Sequence, residues 1–170
     1  MSSPDGMPMR PDPLDTSLLF EVFALNQSVG RFLAEAMRDG PLRPTEYAVY
    51  SALFELESAT PTALAARLGM RLTTFMDQLR LVESRGHARR MPNPRDRRSQ
   101  LVTLTAPGLE AHRAANRLFE AAYATFLEEL GGDEAPAKQI LADIRAAAER
   151  ALRRRPAEPV SPRQTADRAG

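Results

Sequence analysis

The chain has 170 residues, 43% of them apolar, which suffices for one domain with a sizeable core. It contains no cysteine, which excludes disulfides, cysteine-ligated metal and thiol chemistry and is compatible with a reducing compartment. The net charge of +1 hides a segregation: residues 1–59 carry four arginines against nine carboxylates, whereas residues 60–105 carry nine arginines against Asp77, Glu83 and Asp96. A localised basic segment is the electrostatic footprint of a polyanion partner, and arginine suits phosphate and narrow minor grooves.

Residues 1–14 hold Pro4, Pro8, Pro11 and Pro13 among polar side chains and are expected to be a disordered lead. They include no apolar stretch of the signal-peptide kind, so secretion is not expected and a cytoplasmic location is. No apolar run approaches the ~20 residues needed to span a bilayer, so no membrane partner is expected. From Asp15, the residues Leu18, Val22, Leu25, Val29, Phe32 and Ala36 recur at spacings of four and three, with Leu19, Phe23 and Leu33 widening the stripe. That period predicts an amphipathic helix over 15–39, ended by Gly40-Pro41. Pro44-Thr45 opens a second helix to about Glu57, with Tyr47, Val49, Tyr50, Leu53, Phe54 and Leu56 mostly in the core. Ser58-Ala59 reads as a link.

Thr60 is a good N-cap, and Pro61 suits the first helical turn, where its missing N–H has no partner to lose. Leu64, Ala65 and Leu68 share one face, and Gly69 stops the helix because it takes φ > 0 without strain. Leu72 to Arg85 forms the next helix, with Phe75, Leu79 and Val82 inward and Gly86 at its end. Two short helices joined by a glycine turn make a helix-turn-helix, whose second helix can enter a major groove. His87 to Met91 is short and basic, Pro92-Asn93-Pro94 is a turn signal, and Gln100 to Thr105 contains the strand-like run Leu101-Val102-Thr103-Leu104. This predicts a β-hairpin with an arginine-rich tip.

Thr105 is a candidate cap for a long helix with Pro107 near its start and Leu109, His112, Ala115, Leu118, Phe119, Ala122, Tyr123, Phe126 and Leu130 on its inner face. Gly131-Gly132 breaks it, and Asp133 is a candidate N-cap for a last helix to about Arg153, with Ile140, Leu141, Ile144, Ala148, Ala151 and Leu152. These helices carry more apolar surface than a small core can cover, which implies association with a second copy. Residues 154–170, with Pro156, Pro159 and Pro162, read as a disordered tail. No internal repeat, glycine-rich phosphate loop or Ser/His/Asp constellation is present, so no enzyme is expected. His87 and His112 are too few and too far apart for a metal site.

The run Asp96-Arg97-Arg98-Ser99-Gln100-Leu101-Val102-Thr103-Leu104-Thr105 is an Asp-x-Arg followed by an apolar strand ending in Leu-Thr. It resembles the wing of the MarR family of bacterial transcriptional regulators. Leu64-Ala65-x-x-Leu68-Gly69 and Glu83-x-Arg85-Gly86 fit the same family, and the likeness extends over residues 15–153. It implies a mainly α fold with a small β-hairpin wing: a winged helix-turn-helix core over 45–105, flanked by dimerisation helices over 15–39 and 106–153. It further implies a homodimeric, ligand-responsive repressor that binds a double-stranded DNA operator. The alternative is a winged-helix module that binds another protein instead.

On the second helix of the motif the positions expected to face the groove are Arg71, Thr73, Thr74, Met76, Asp77 and Arg80. Asp77, Met76 and Gln78 depart from the residues common in the family. A carboxylate at Asp77 is unfavourable in a phosphate-rich groove unless it accepts from a cytosine amino group or pairs with Arg80 or Arg71. In the wing, the resemblance implies that Asp96 braces the loop while Arg98, with Arg97 and beside Arg95, reaches a minor groove. The family takes small aromatic or phenolic effectors between its lobes. Here that points to Phe20, Phe23, Asn26, Arg31, Tyr47 and Tyr50, each also readable as ordinary packing. Arg31 is open to three readings: receiving a ligand carboxylate, forming a dimer salt bridge, or simple exposure. No cofactor or metal is expected.

Overall fold

The computed structural model describes residues 17–154. Its elements are α1 (Leu18–Ala36), α2 (Pro44–Glu55), α3 (Pro61–Arg67), α4 (Leu72–Ser84), β1 (Ala88–Pro92), β2 (Gln100–Leu104), α5 (Ala106–Leu130) and α6 (Ala135–Arg153). The fold is mainly helical with one antiparallel hairpin, as expected. The lead over 1–14 and the tail beyond Arg154 lie outside the described residues. Two compact units divide between Phe126 and Leu127. No described helix is long and apolar enough to cross a membrane.

The first unit is built on the helix-turn-helix. Thr60 is extended at φ −71°, ψ 151°, and its Oγ1 accepts the Ala63 N–H at 3.2 Å. That satisfies one of the free donors of the first turn, while Pro61 has none to satisfy. Gly69 takes φ +64° and lets the chain turn into α4, with Met70 N–H donating to Ala65 O at 2.9 Å. Phe75, Leu79 and Val82 recur at i, i+4 and i+7 and are buried together with Leu64 and Ala65. Gly86, at φ +70°, ends α4 and delivers the chain into β1.

The strands pair with Ala88 opposite Leu104 and Pro92 opposite Gln100. The predicted link at Ser58-Ala59 does more than connect. Ala59 N–H donates to Val102 O at 3.3 Å, and Val102 N–H donates to Ala59 O at 2.9 Å, adding a one-residue bridge to the hairpin. A single residue has no period, so no pattern announced it. Thr105 Oγ1 donates to Gly86 O at 2.7 Å and receives the Gly108 N–H at 3.3 Å. One hydroxyl therefore joins the end of α4 to the start of α5. The core gathers Met37, Leu42, Tyr50, Leu53, Leu64, Phe75, Leu79 and Val102.

Several expectations are corrected. The first helix ends at Ala36 rather than near residue 39, and its C-cap Met37 is fully buried although no residue of α1 is. The chain then turns through Gly40, where a Cβ would lie 2.6 Å from Leu118 Cδ1. Phe54 and Leu56 are exposed rather than core, as are Phe126 and Leu130 on α5. In the second unit α6 buries none of its residues. Its N-cap is Glu134, while the Asp133 carboxylate accepts the Ala135 N–H at 3.0 Å from one position earlier.

Candidate nucleic-acid interface

Two elements carry the arginines expected to meet DNA: the exposed face of α4 and the tip of the hairpin. Burying Phe75, Leu79 and Val82 leaves Arg71, Thr73, Thr74, Asp77 and Arg80 exposed on α4. Met76 is the exception among the predicted groove positions. It is half-buried and packs against the core, so it supports the helix from beneath. Arg80 Nη1 donates to Asp77 Oδ1 at 2.6 Å, so the pairing considered for this carboxylate is formed, and its partner is Arg80.

The tip between the strands is fixed by its own short polar side chains. Asn93 Oδ1 accepts the Arg95 N–H at 3.0 Å, and Asn93 Nδ2 donates to Ser99 Oγ at 2.9 Å. Asp96 Oδ1 accepts the Arg98 N–H at 3.0 Å, and the Asp96 carbonyl accepts both the N–H and the hydroxyl of Ser99. These are Asx-type bonds, which hold a turn without help from the core. The carboxylate of Asp96 is therefore spent on backbone, and the guanidinium groups of Arg95, Arg97 and Arg98 stand exposed with no ion pair among the described residues.

The nine arginines of the basic segment separate into two classes. Arg67 pairs with Glu55 at 2.8 Å, Arg80 with Asp77, Arg85 with Glu46 at 2.7 Å, and Arg90 with Glu83 at 2.6 Å. Arg71, Arg89, Arg95, Arg97 and Arg98 have no carboxylate partner among the described residues. Glu46 and Glu55 both come from α2, so the acidic first part of the chain neutralises part of the basic segment. The hydrogen bonds that Arg67, Arg85 and Arg90 donate to Glu55, Glu46 and Glu83 raise the affinity of these guanidinium groups for their protons. Burial pushes the Glu46 carboxyl up, but the Arg43 backbone N–H and the Arg85 guanidinium outweigh it and hold it below the usual carboxylate range. The free cations lie at the N-terminus of α4 and along the hairpin.

A second cluster lies between α2 and α5. The His112 ring is buried between two aromatic neighbours, with centroids 5.6 Å from Tyr47 and 4.6 Å from Phe54. His112 Nε2 lies 3.2 Å from Ser51 Oγ, while Nδ1 is buried without a partner among the described residues. Tyr47 OH donates to Asn116 Oδ1 at 2.6 Å. Tyr47, Ser51, Phe54, His112, Arg113 and Asn116 border a cavity of about 310 Å³. A separate cavity of about 170 Å³ is lined by Val29, Phe32 and Leu33 of α1 with Phe119, Tyr123 and Phe126 of α5.

The positions expected to take an effector do not converge within one chain. Phe20, Phe23, Asn26 and Arg31 are exposed on α1. Tyr50 is buried elsewhere, with its hydroxyl 2.8 Å from His87 Nδ1. Of that group only Tyr47 borders either cavity. Sequence reasoning missed His112, Ser51 and Asn116, because their meeting depends on how α2 crosses α5. The single available signal was a histidine on the apolar face of α5.

No family model matches the chain. Over 98 residues it is 30% identical to the HTH-type transcriptional regulator TtmR of Methylorubrum extorquens (strain PA1), which covers 58% of this chain. The chain spans half the length of that curated relative. Among solved structures, the transcriptional regulator MosR of M. tuberculosis, in complex with DNA, superposes with a TM-score of 0.71 at 24% identity, over 82% of this chain and all of that one. A mutant MarR from E. coli complexed with operator DNA superposes at 0.62 and 24% identity, over 75% of this chain and 97% of that one. The fold is therefore the winged helix-turn-helix fold of MarR and MosR.

Proposed function

We propose that this chain is a MarR-type transcriptional regulator that binds an operator in duplex DNA as a homodimer. Within each subunit, α4 enters the major groove and the hairpin tip follows the backbone to the adjoining minor groove. The observation that carries this reading is the sorting of the arginines: four are held by carboxylates, and the five without a carboxylate partner among the described residues lie at the start of α4 and on the hairpin. Phosphate contacts position a protein on DNA, and base-edge contacts from a helix in the major groove select the sequence.

Dimerisation is supported by apolar surface that the described residues of one chain leave uncovered. Leu18, Leu19, Phe20 and Phe23 are exposed on α1, and Ile140 and Leu141 on α6. Exposed apolar side chains on each of these helices are of the kind that mark association surfaces. Two copies related by a two-fold axis would present their α4 helices to half-sites about 10 bp apart. A small aromatic or phenolic effector acts on this dimer by binding the released form more tightly than the DNA-competent one. Two of the cavities of the first unit, those bordered by Phe119 and by His112 of α5, offer room for such a molecule. Asp77, whose carboxylate is unfavourable in a phosphate-rich groove when unpaired, is paired with Arg80.

A mobility-shift titration with the DNA upstream of the chain's own coding sequence tests the reading, at low salt and with competitor duplex. Sedimentation of the free protein and of the complex accompanies it. A specific shift by two chains per operator is expected. A monomer with no preference for any duplex would overturn it.

A further inference from the structure

Given the DNA-binding reading above, on which this inference rests, the ion pair on α4 bears on which bases the helix reads. Thr73, Asp77 and Arg80 follow one another at i, i+4 and i+7 and form one exposed stripe. Asp77 and Arg80 are 69% and 68% exposed and joined through Oδ1 and Nη1 at 2.6 Å. An exposed pair of this spacing adds little to folding. A carboxylate on a face turned to phosphates also lowers affinity for any duplex. The consequence of the pair therefore falls on selectivity.

The bond to Asp77 uses one nitrogen of the Arg80 fork and leaves Nε and Nη2 without a partner among the described residues. A guanidinium steadied along one edge presents the other as a fixed pair of donors, matched by O6 and N7 of guanine. Asp77 Oδ2 likewise has no partner among the described residues. It can only accept. In the major groove, cytosine offers its N4 amino group and adenine its N6 amino group, whereas the guanine and thymine edges offer acceptors and a methyl group.

We propose that Asp77 is a specificity-determining residue: it sets Arg80 for a guanine and requires cytosine or adenine at the base beside that guanine. Selection from a random duplex library tests this with the parent protein, Asp77→Asn, Arg80→Ala and the double variant, each first checked for an unchanged thermal transition. The parent enriches a guanine next to an amino-bearing base. Asp77→Asn relaxes both positions, each by at least about fivefold, while its affinity for bulk duplex stays level or rises. Arg80→Ala loses the guanine, and the double variant loses no more at that position. An Asp77→Asn protein that selects the parent's motif at unchanged ratios, or that weakens equally on every duplex, overturns the proposal and leaves the DNA-binding reading standing. A parent protein that enriches no sequence removes both.

Discussion

Gly108 in the first turn of α5 lies directly against the backbone of His87, where the chain leaves α4 for the hairpin. A Cβ at position 108 would sit 2.1 Å from the His87 carbonyl oxygen and 2.9 Å from its carbonyl carbon. Those are backbone atoms, and the same carbonyl already accepts the Thr105 N–H at 2.9 Å, so they cannot swing aside as a side chain would. Gly108→Ala is expected to destabilise the protein by about 1–3 kcal/mol, the usual cost of overpacking, and to displace the start of the hairpin. Urea denaturation measures it. Gly30→Ala is the matched control. Gly30 lies inside α1, and a methyl group added there would meet nothing within 4 Å among the described residues, so the variant should gain about 0.5–1 kcal/mol of helix propensity.

His112 makes stability depend on pH in a defined direction. Burial between Tyr47 and Phe54, and then the nearby Arg113 charge, lower its proton affinity below the ordinary histidine value of 6.5. The folded state therefore keeps the ring neutral where the unfolded chain takes up a proton. The unfolded state binds more protons, so stability falls as pH drops below 6.5 and levels off below the lowered folded value. Denaturation midpoints between pH 7.5 and 5, at constant ionic strength (about 0.15 M, to fix screening), should show this slope in the parent. His112→Phe should flatten it. An equal slope in both proteins would assign the dependence to other groups.

The parts of the fold written in local chemistry were legible beforehand, and the parts made by distant partners were not. Thr60, Gly69 and Gly86 mark their boundaries because a cap or a positive φ is decided within a few residues. The inward set Phe75, Leu79 and Val82 follows from one helical period. The bridge between Ala59 and Val102, the stacking on His112, and the pairs Arg67–Glu55 and Arg85–Glu46 join residues from different elements. The charge of residues 60–105 thus located the basic surface and overstated how much of it is free. The exposure of Phe54 and Phe126 was hidden for a related reason: helical periodicity reports an apolar face, whether that face meets the same chain or another.

The division of the arginines predicts two kinds of variant. Arg98→Ala removes a free cation from the braced tip and is expected to weaken operator binding more than about tenfold, while reducing the slope of log affinity against log salt by about one per contact. Arg67→Ala removes a cation already matched by Glu55, so operator binding and its salt slope should change little. Fluorescence anisotropy across a salt series distinguishes them. Equal losses from both would mean that total charge, rather than placement, governs binding.

Glu83 offers the converse experiment, a gain of cationic surface without adding an arginine. Its carboxylate holds Arg90 through two bonds, Oε1 to Nε at 2.6 Å and Oε2 to Nη2 at 3.2 Å, and so ties the end of α4 to β1. Glu83→Gln keeps the shape and an acceptor but releases the charge of Arg90. Affinity for non-specific duplex should rise and the salt slope should steepen by about one per released contact. The ratio of operator to non-specific affinity should fall, because the new term is blind to sequence. The helix-to-strand tie weakens at the same time, so the hairpin amides near Arg90 should exchange faster with solvent. If non-specific affinity is unchanged while exchange accelerates, Arg90 lies away from the phosphate track and its pair with Glu83 serves the fold alone.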